Sequence, residues 1–357
     1  MTRHSSAARY AAWTACLLWW VTFALASTAC AQVSFTFKGI NHVSWQPNEY
    51  SSSAAIDSRV ELAATHANWA SVLVTYYQSK GTSTVIAADP ARSPTDAAVI
   101  AAIRGLRQQG LKIMLKPHVD ASDNSWRGDF RPGNVAAWFA SYTAFITHFA
   151  DLAQQNGVDA LVIGTEFVQL SGAKYRTQWT TLIKNLRNRY RGKLTYAANA
   201  TRAGDEFTSV SFWDQLDWIG LDAYFPLTNL VNPTLDQLVA AWSKNAQGEN
   251  LIALLENFAN AHPGKPVILT EIGYRSVDGA NRVPWDYSLK GTADAAEQRD
   301  CAEAMFRVWG TRNRIVQGVF WWDWPAWSSD PNTDTDYTPR KKPVEATLRT
   351  WFERVTP

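Results

Sequence analysis

The stretch AAWFASYTAFITHFADLAQQNGVDALVIGTE, residues 136–166, decides the fold. In its first half Trp138, Phe139, Tyr142, Phe145, Ile146 and Phe149 recur at steps of three and four, the spacing of one buried helix face. Ala160-Leu161-Val162-Ile163-Gly164 follows, a short apolar run of the kind that a strand buried on both faces presents. A helix feeding such a strand is part of a repeating βα unit.

The same alternation runs outward in both directions. Apolar runs at 37–41, 70–76, 112–117, 160–164, 194–198, 218–221, 266–270 and 318–322 are separated by helical patterns. Ser93-Pro94-Thr95-Asp96 opens a helix over 97–109, and Gly110 stops it. The step between the fifth and sixth runs is short, which leaves a turn or two of helix around 212–215. Eight βα units in one chain of this length predict a (β/α)8 barrel, the TIM barrel, in the α/β class. Long segments rich in Gly, Pro, Asn, Asp and aromatics follow the seventh and eighth runs, at 274–291 and 323–342. A doubly wound sheet is the rival architecture, but no G-x-G-x-x-G follows the first run, which weakens its dinucleotide-binding form.

The start of the chain has a different character. Arg3 and Arg9 precede an apolar stretch from about Tyr10 to Ala26, and Ala29-Cys30-Ala31 closes it with small residues. This reads as a secretory signal peptide, residues 1–31, leaving a catalytic domain of 32–357 that is secreted, extracellular or periplasmic. The apolar core is short for a membrane span. Ser27-Thr28-Ala29 lacks the aliphatic residue that a lipoprotein signal places three before the cysteine. Removal takes two of the 34 Lys+Arg and none of the 32 Asp+Glu, so the mature charge is zero. Nothing then calls for nucleic acid or an anionic membrane as partner. Cys301 is left alone among apolar neighbours, so neither a disulfide nor a thiolate zinc cluster is expected. Fifteen of the 18 tryptophans survive. Some fill the core, and others offer the flat apolar faces on which sugar rings stack.

A barrel gathers its functional groups at the C-terminal ends of its strands. Read in order, those ends carry Asn41 and His42, Tyr76 and Tyr77, His118 and Asp120, Thr165 and Glu166, Asn199, Asp222 and Tyr224, Glu271, and Trp321, Trp322 and Asp323. Carboxylates, amides and aromatics together suit a carbohydrate. Glu166 ends the fourth run and Glu271 the seventh, across the barrel mouth from each other. A single strand-end glutamate often caps a helix or pairs with an arginine. Two facing each other match the needs of glycosidic cleavage: one protonated carboxyl for the leaving oxygen, and one carboxylate to attack the anomeric carbon or activate water.

Ile163-Gly164-Thr165-Glu166-Phe167 and Leu269-Thr270-Glu271-Ile272-Gly273-Tyr274 resemble the acid/base and nucleophile motifs of the clan of retaining (β/α)8 glycosidases with glutamates on strands four and seven. The nearest resemblance is to glycoside hydrolase family 113, which contains endo-β-1,4-mannanases. Phe37-Lys38-Gly39-Ile40-Asn41 and Phe320-Trp321-Trp322-Asp323-Trp324 share it, and it spans essentially the whole mature chain. The resemblance implies Glu166 as general acid/base, Glu271 as nucleophile, double displacement on β-1,4-linked mannan or mannooligosaccharides, and no cofactor or metal. Many clan members carry Asn before the acid/base to bind the sugar 2-hydroxyl, where this chain has Thr165. Asn199 and His118 are candidates for that contact. Tyr224 is placed to hydrogen-bond Glu271, and one of Trp321 and Trp322 to floor the sugar, since successive strand residues face opposite ways. Asn41, His118, Asn199, Asp222, Tyr224, Trp321 and Trp324 complete the expected substrate-binding set, on a monomer acting on a polysaccharide or oligosaccharide. The alternatives are another β-glycanase of the clan, acting on β-glucan, galactan or a cell-wall glycan, or a non-catalytic carbohydrate-binding barrel.

Overall fold

Eight parallel strands close on themselves in the computed structural model, which describes residues 35–353. They are β1 (Phe37–Val43), β2 (Trp69–Gln78), β3 (Lys112–Ala121), β4 (Ala160–Thr165), β5 (Lys193–Ala200), β6 (Ile219–Ala223), β7 (Val267–Ile272) and β8 (Val316–Pro325). Each pairs with its sequence neighbour, and β8 pairs with β1. The helices are α1 (Ser53–Ala63), α2 (Asp96–Gln108), α3 (Val135–Gln155), α4 (Arg176–Arg187), α5 (Glu206–Ser209), α6 (Leu235–Ala241), α7 (Leu251–Asn260), α8 (Ala295–Trp309) and α9 (Pro343–Glu353). This is the expected (β/α)8 barrel. The expected signal peptide lies outside the described residues.

Local chemistry explains the boundaries. The Thr95 side chain caps α2, accepting from the Ala98 N–H, and Gly110 ends that turn at φ 84°, where only glycine is unstrained. The Asn134 side chain caps α3 in the same manner. The short fifth crossover is α5 plus a 3₁₀ turn at Trp213–Gln215, so the helical turns expected around 212–215 are there but split. After β7 the connection carries one 3₁₀ turn, Ala280–Arg282, and after β8 the strand runs two residues past Asp323 before the loop begins.

Two apolar layers hold the barrel. Phe37, Trp69, Met114, Ala160, Val162, Ala197, Trp218, Ile268 and Phe320 fill its interior, with the Phe37 and Trp218 rings 4.9 Å apart. Gly39 makes room there, because a Cβ on it would fall 2.3 Å from the Phe320 ring. A larger layer lies between strands and helices, where Trp138 stacks on Tyr142 at 4.9 Å and Trp179 on Phe212 at 4.7 Å. Cys301 is buried in α8 within that layer, as expected of it.

Three strands carry one extra residue at the mouth, and these bulges aim the functional groups. On β4, three steps from Val162 to Thr165 oppose two on β5. On β7, three steps from Leu269 to Ile272 oppose two on β8. On β8, three steps from Trp321 to Trp324 oppose two on β1. Leu269 and Ile272 both pack outward, so Thr270 and Glu271 between them both turn inward. Trp321 and Trp324 likewise both pack outward, which leaves Trp322 and Asp323 on the inner side.

Candidate active site

Glu271 sits where β7 opens into the mouth, 5% exposed, with donors on both carboxylate oxygens. Lys116 on β3 donates to Oε1, and Tyr224 just past β6 donates to Oε2 at 2.7 Å. The phenol keeps its proton, since burial, and then the Glu271 charge, push its pKa well up. Lys116 has no exposed side-chain surface and also reaches Asp222 on β6, at 3.0 Å to Oδ1 and 3.2 Å to Oδ2. Asp222 in turn accepts from the Thr270 hydroxyl at 2.8 Å. Burial first, and the Glu271 charge second, push the Asp222 carboxyl well up. One ammonium is thus shared between two carboxylates, and the inward pair Thr270 and Glu271 braces both.

Glu166 follows the bulge of β4 in a left-handed conformation, φ 52°, uncommon for a residue with a Cβ. The next peptide holds it there. The Phe167 N–H donates to the Tyr196 hydroxyl at 2.7 Å, and Tyr196 donates to Glu206 Oε1 at 2.6 Å. Glu206 Oε2 accepts the Asn199 N–H at 2.7 Å, closing a buried tie from β4 across β5 to α5. Arg127 donates from Nη1 to Glu166 Oε2 at 3.2 Å, and from Nε to Asp120 Oδ1 at 3.1 Å. Burial raises the Glu166 carboxyl, Arg127 opposes it, and the Glu271 charge raises it again, leaving it at about 7. At neutral pH about half of such groups carry a proton, the condition of a general acid.

His118, also on β3, stands 3.8 Å from Glu271 Oε1. Burial, then the charges of Arg127 and Lys116, push its pKa well below the ordinary value, so this is the approach of a neutral imidazole and no ion pair. Its Nε2 is sealed from the surface and makes no hydrogen bond. The half-buried Trp322 ring lies parallel to the imidazole, within 2°, at 6.2 Å. Two carboxyl groups of different character and an apolar ring face therefore share one opening. Acid-assisted cleavage of a sugar linkage needs two such carboxyl groups.

The sequence profile of glycoside hydrolase family 113 matches residues 36–342, most of the chain. The chain belongs to glycoside hydrolase family 113. A GH113 β-mannanase from Alicyclobacillus acidocaldarius, solved in complex with ManMIm, is similar at TM-score 0.78 and 26% identity, over 90% of this chain and 98% of that one. A second GH113 β-1,4-mannanase structure gives TM-score 0.78 and 25% identity, over 90% and 100%. The comparison with curated proteins returns no match. This family 113 protein is therefore a glycosidase.

The family 113 site differs from the expected residue set in four places. Asn41, Asp222, Trp321 and Trp324 have no exposed surface, and a side chain without surface cannot touch a sugar. Asn41 ties strands together, its amide nearest the Thr270 carbonyl at 3.0 Å. Asp222 is spent on Lys116 and Thr270. Trp321 donates to the Tyr337 carbonyl at 3.3 Å, and Trp324 to the Ser58 carbonyl in α1 at 3.0 Å, both on the helix side. Trp322 takes the inner place expected of Trp321. His118, Asn199 and Tyr224 remain at the mouth, though the Asn199 amide donates to Asp205 at 2.9 Å. Lys116 and Arg127 were missed. Lys116 had a signal, two residues before His118 and so on the same strand face. Arg127 follows β3 in a loop without periodicity and had none.

Proposed function

We propose that this glycosidase cleaves β-1,4-linked mannan or mannooligosaccharides by double displacement, with Glu166 as general acid/base and Glu271 as nucleophile. The contrast between the two environments carries the reading. Glu166 is held near 7 by burial and so has a proton to give, while Glu271 faces the ammonium of Lys116 and the hydroxyl of Tyr224 as an acceptor. Glu166 protonates the leaving glycosidic oxygen as Glu271 attacks the anomeric carbon. A glycosyl ester forms, and the alcohol leaves. With the Glu271 charge gone, Glu166 ionises more readily and takes a proton from the water that hydrolyses the ester. Trp322, half-buried on the inner side, floors the sugar.

The mannan specificity is supported by the β-mannanases to which the chain is similar over nine-tenths of its length. We further propose removal of residues 1–31 on secretion and action as a monomer outside the cytoplasm. Products from mannan, glucomannan, cellulose and galactan, compared side by side, test the substrate. Mannooligosaccharides from the first two are expected, and glucan cleavage with inert mannan would overturn the assignment. The mature N-terminus, read by sequencing, is expected at Gln32.

A further inference from the structure

Six acidic side chains are buried among the described residues: Glu166, Glu206, Asp222, Glu271, Glu297 and Asp323. Five accept hydrogen bonds from protein, from Arg127, Tyr196, Lys116 and, for Glu297, from the Gly279 and Asn281 N–H groups. Asp323 accepts none. It is more than nine-tenths buried, at 8% exposure, and the bulge of β8 sets it on the inner side beside Trp322. Its oxygens are not sealed from the mouth, so a ligand there can reach a carboxyl that no protein donor serves. Such a group is retained where a ligand completes it.

We propose that Asp323 binds a hydroxyl of the glycone sugar, the sugar whose anomeric carbon Glu271 attacks. The inference rests on the glycosidase reading given above and adds a specificity residue to it. Position supports the glycone side. Asp323 lies next to Trp322 on the inner side of β8 and close enough to Glu271 to feel its charge. Chemistry supports a hydroxyl. Burial, reinforced by Asp336 and Asp334, pushes the carboxyl well up, towards the protonated form that can both donate and accept. A sugar hydroxyl, or two adjacent ones, offers the matching pair. The neighbouring cation, Lys342, is already engaged by Ser276, at 3.0 Å, and Asp334, at 2.9 Å.

The test pairs Asp323→Ala and Asp323→Asn with aryl β-mannooligosaccharides that each lack one glycone hydroxyl. On the complete substrate, Asp323→Ala is expected to lose about ten- to hundredfold in kcat/KM, and Asp323→Asn less, because an amide also donates and accepts. The alanine penalty should disappear on the substrate that lacks the contacted hydroxyl. Tm should hold or rise in both variants, since no protein partner is lost. A penalty spread evenly over the whole set, or a fall in Tm that accounts for the lost activity, would overturn the Asp323 assignment and leave the mechanism standing. A wild-type enzyme inert on every mannoside would instead overturn the mannan reading, and with it the mannoside contact.

Discussion

Arg127 reaches Glu166 with Nη1 3.2 Å from Oε2, and still the carboxyl stands at about 7. Burial wins over a guanidinium in contact, with the Glu271 charge acting on the same side as burial. If Glu166 must be protonated to assist departure, kcat/KM falls as pH rises through about 7. Arg127 holds the value down, so Arg127→Met should move the alkaline limb to higher pH, by about one unit or more. The full pH profile of both enzymes measures this. A limb that stays in place or moves down would show that the Arg127 charge does not act on Glu166. The same shift has a stability sign. A carboxyl raised above its ordinary 4.5 favours the fold fully below that value, and the contribution is lost as pH rises through about 7.

Lys116 offers a second test, in which stability and turnover separate. Removing one partner of a buried charge pair costs about 3–5 kcal/mol, and Asp222, already pushed up, can take a proton and keep the loss near the lower end. Lys116→Met is therefore expected to fold with a lowered Tm and to lose kcat by about a hundredfold, since Glu271 loses one of its two anchoring donors. Adding Asp222→Asn removes the stranded carboxyl. The double variant should regain Tm without regaining kcat. Recovery of both together would make Lys116 a packing residue only.

The tryptophans of β8 show where the sequence could be read and where it could not. Strand positions were legible because strands buried on both faces must be apolar, and 112–117 was read where Lys112–Ala121 forms. The two glutamates were legible because a charge at the end of such a run is conspicuous. The facing of Trp321, Trp322 and Trp324 was not, because strict alternation breaks where β8 carries an extra residue opposite β1. The same break on β7 sends Thr270 and Glu271 to one side. A bulge depends on the partner strand, and one strand's sequence does not contain its partner. The consequence is measurable. Trp322→Ala should lower kcat/KM by at least about tenfold with little change in Tm, while Trp321→Ala should cost about 3–5 kcal/mol of stability. The reverse pattern would restore Trp321 to the sugar.

The division of labour between the glutamates is open to chemical rescue. If Glu271 is the nucleophile, Glu271→Ala should nearly abolish turnover, by far more than the hundredfold expected of Lys116→Met. Azide in the space left by the carboxylate would attack the anomeric carbon once, giving a glycosyl azide of inverted configuration. Glu166→Ala should behave differently. An aryl glycoside with a good leaving group needs no acid, so its ester with Glu271 forms and then accumulates, because the base for water is gone. Azide, which needs no base, should release that ester with net retention. Anomeric analysis by NMR distinguishes the two products. Inverted azide from Glu166→Ala and retained azide from Glu271→Ala would exchange the roles, and failure of azide to rescue either variant, with near-normal turnover in both, would remove the pair from the chemistry altogether.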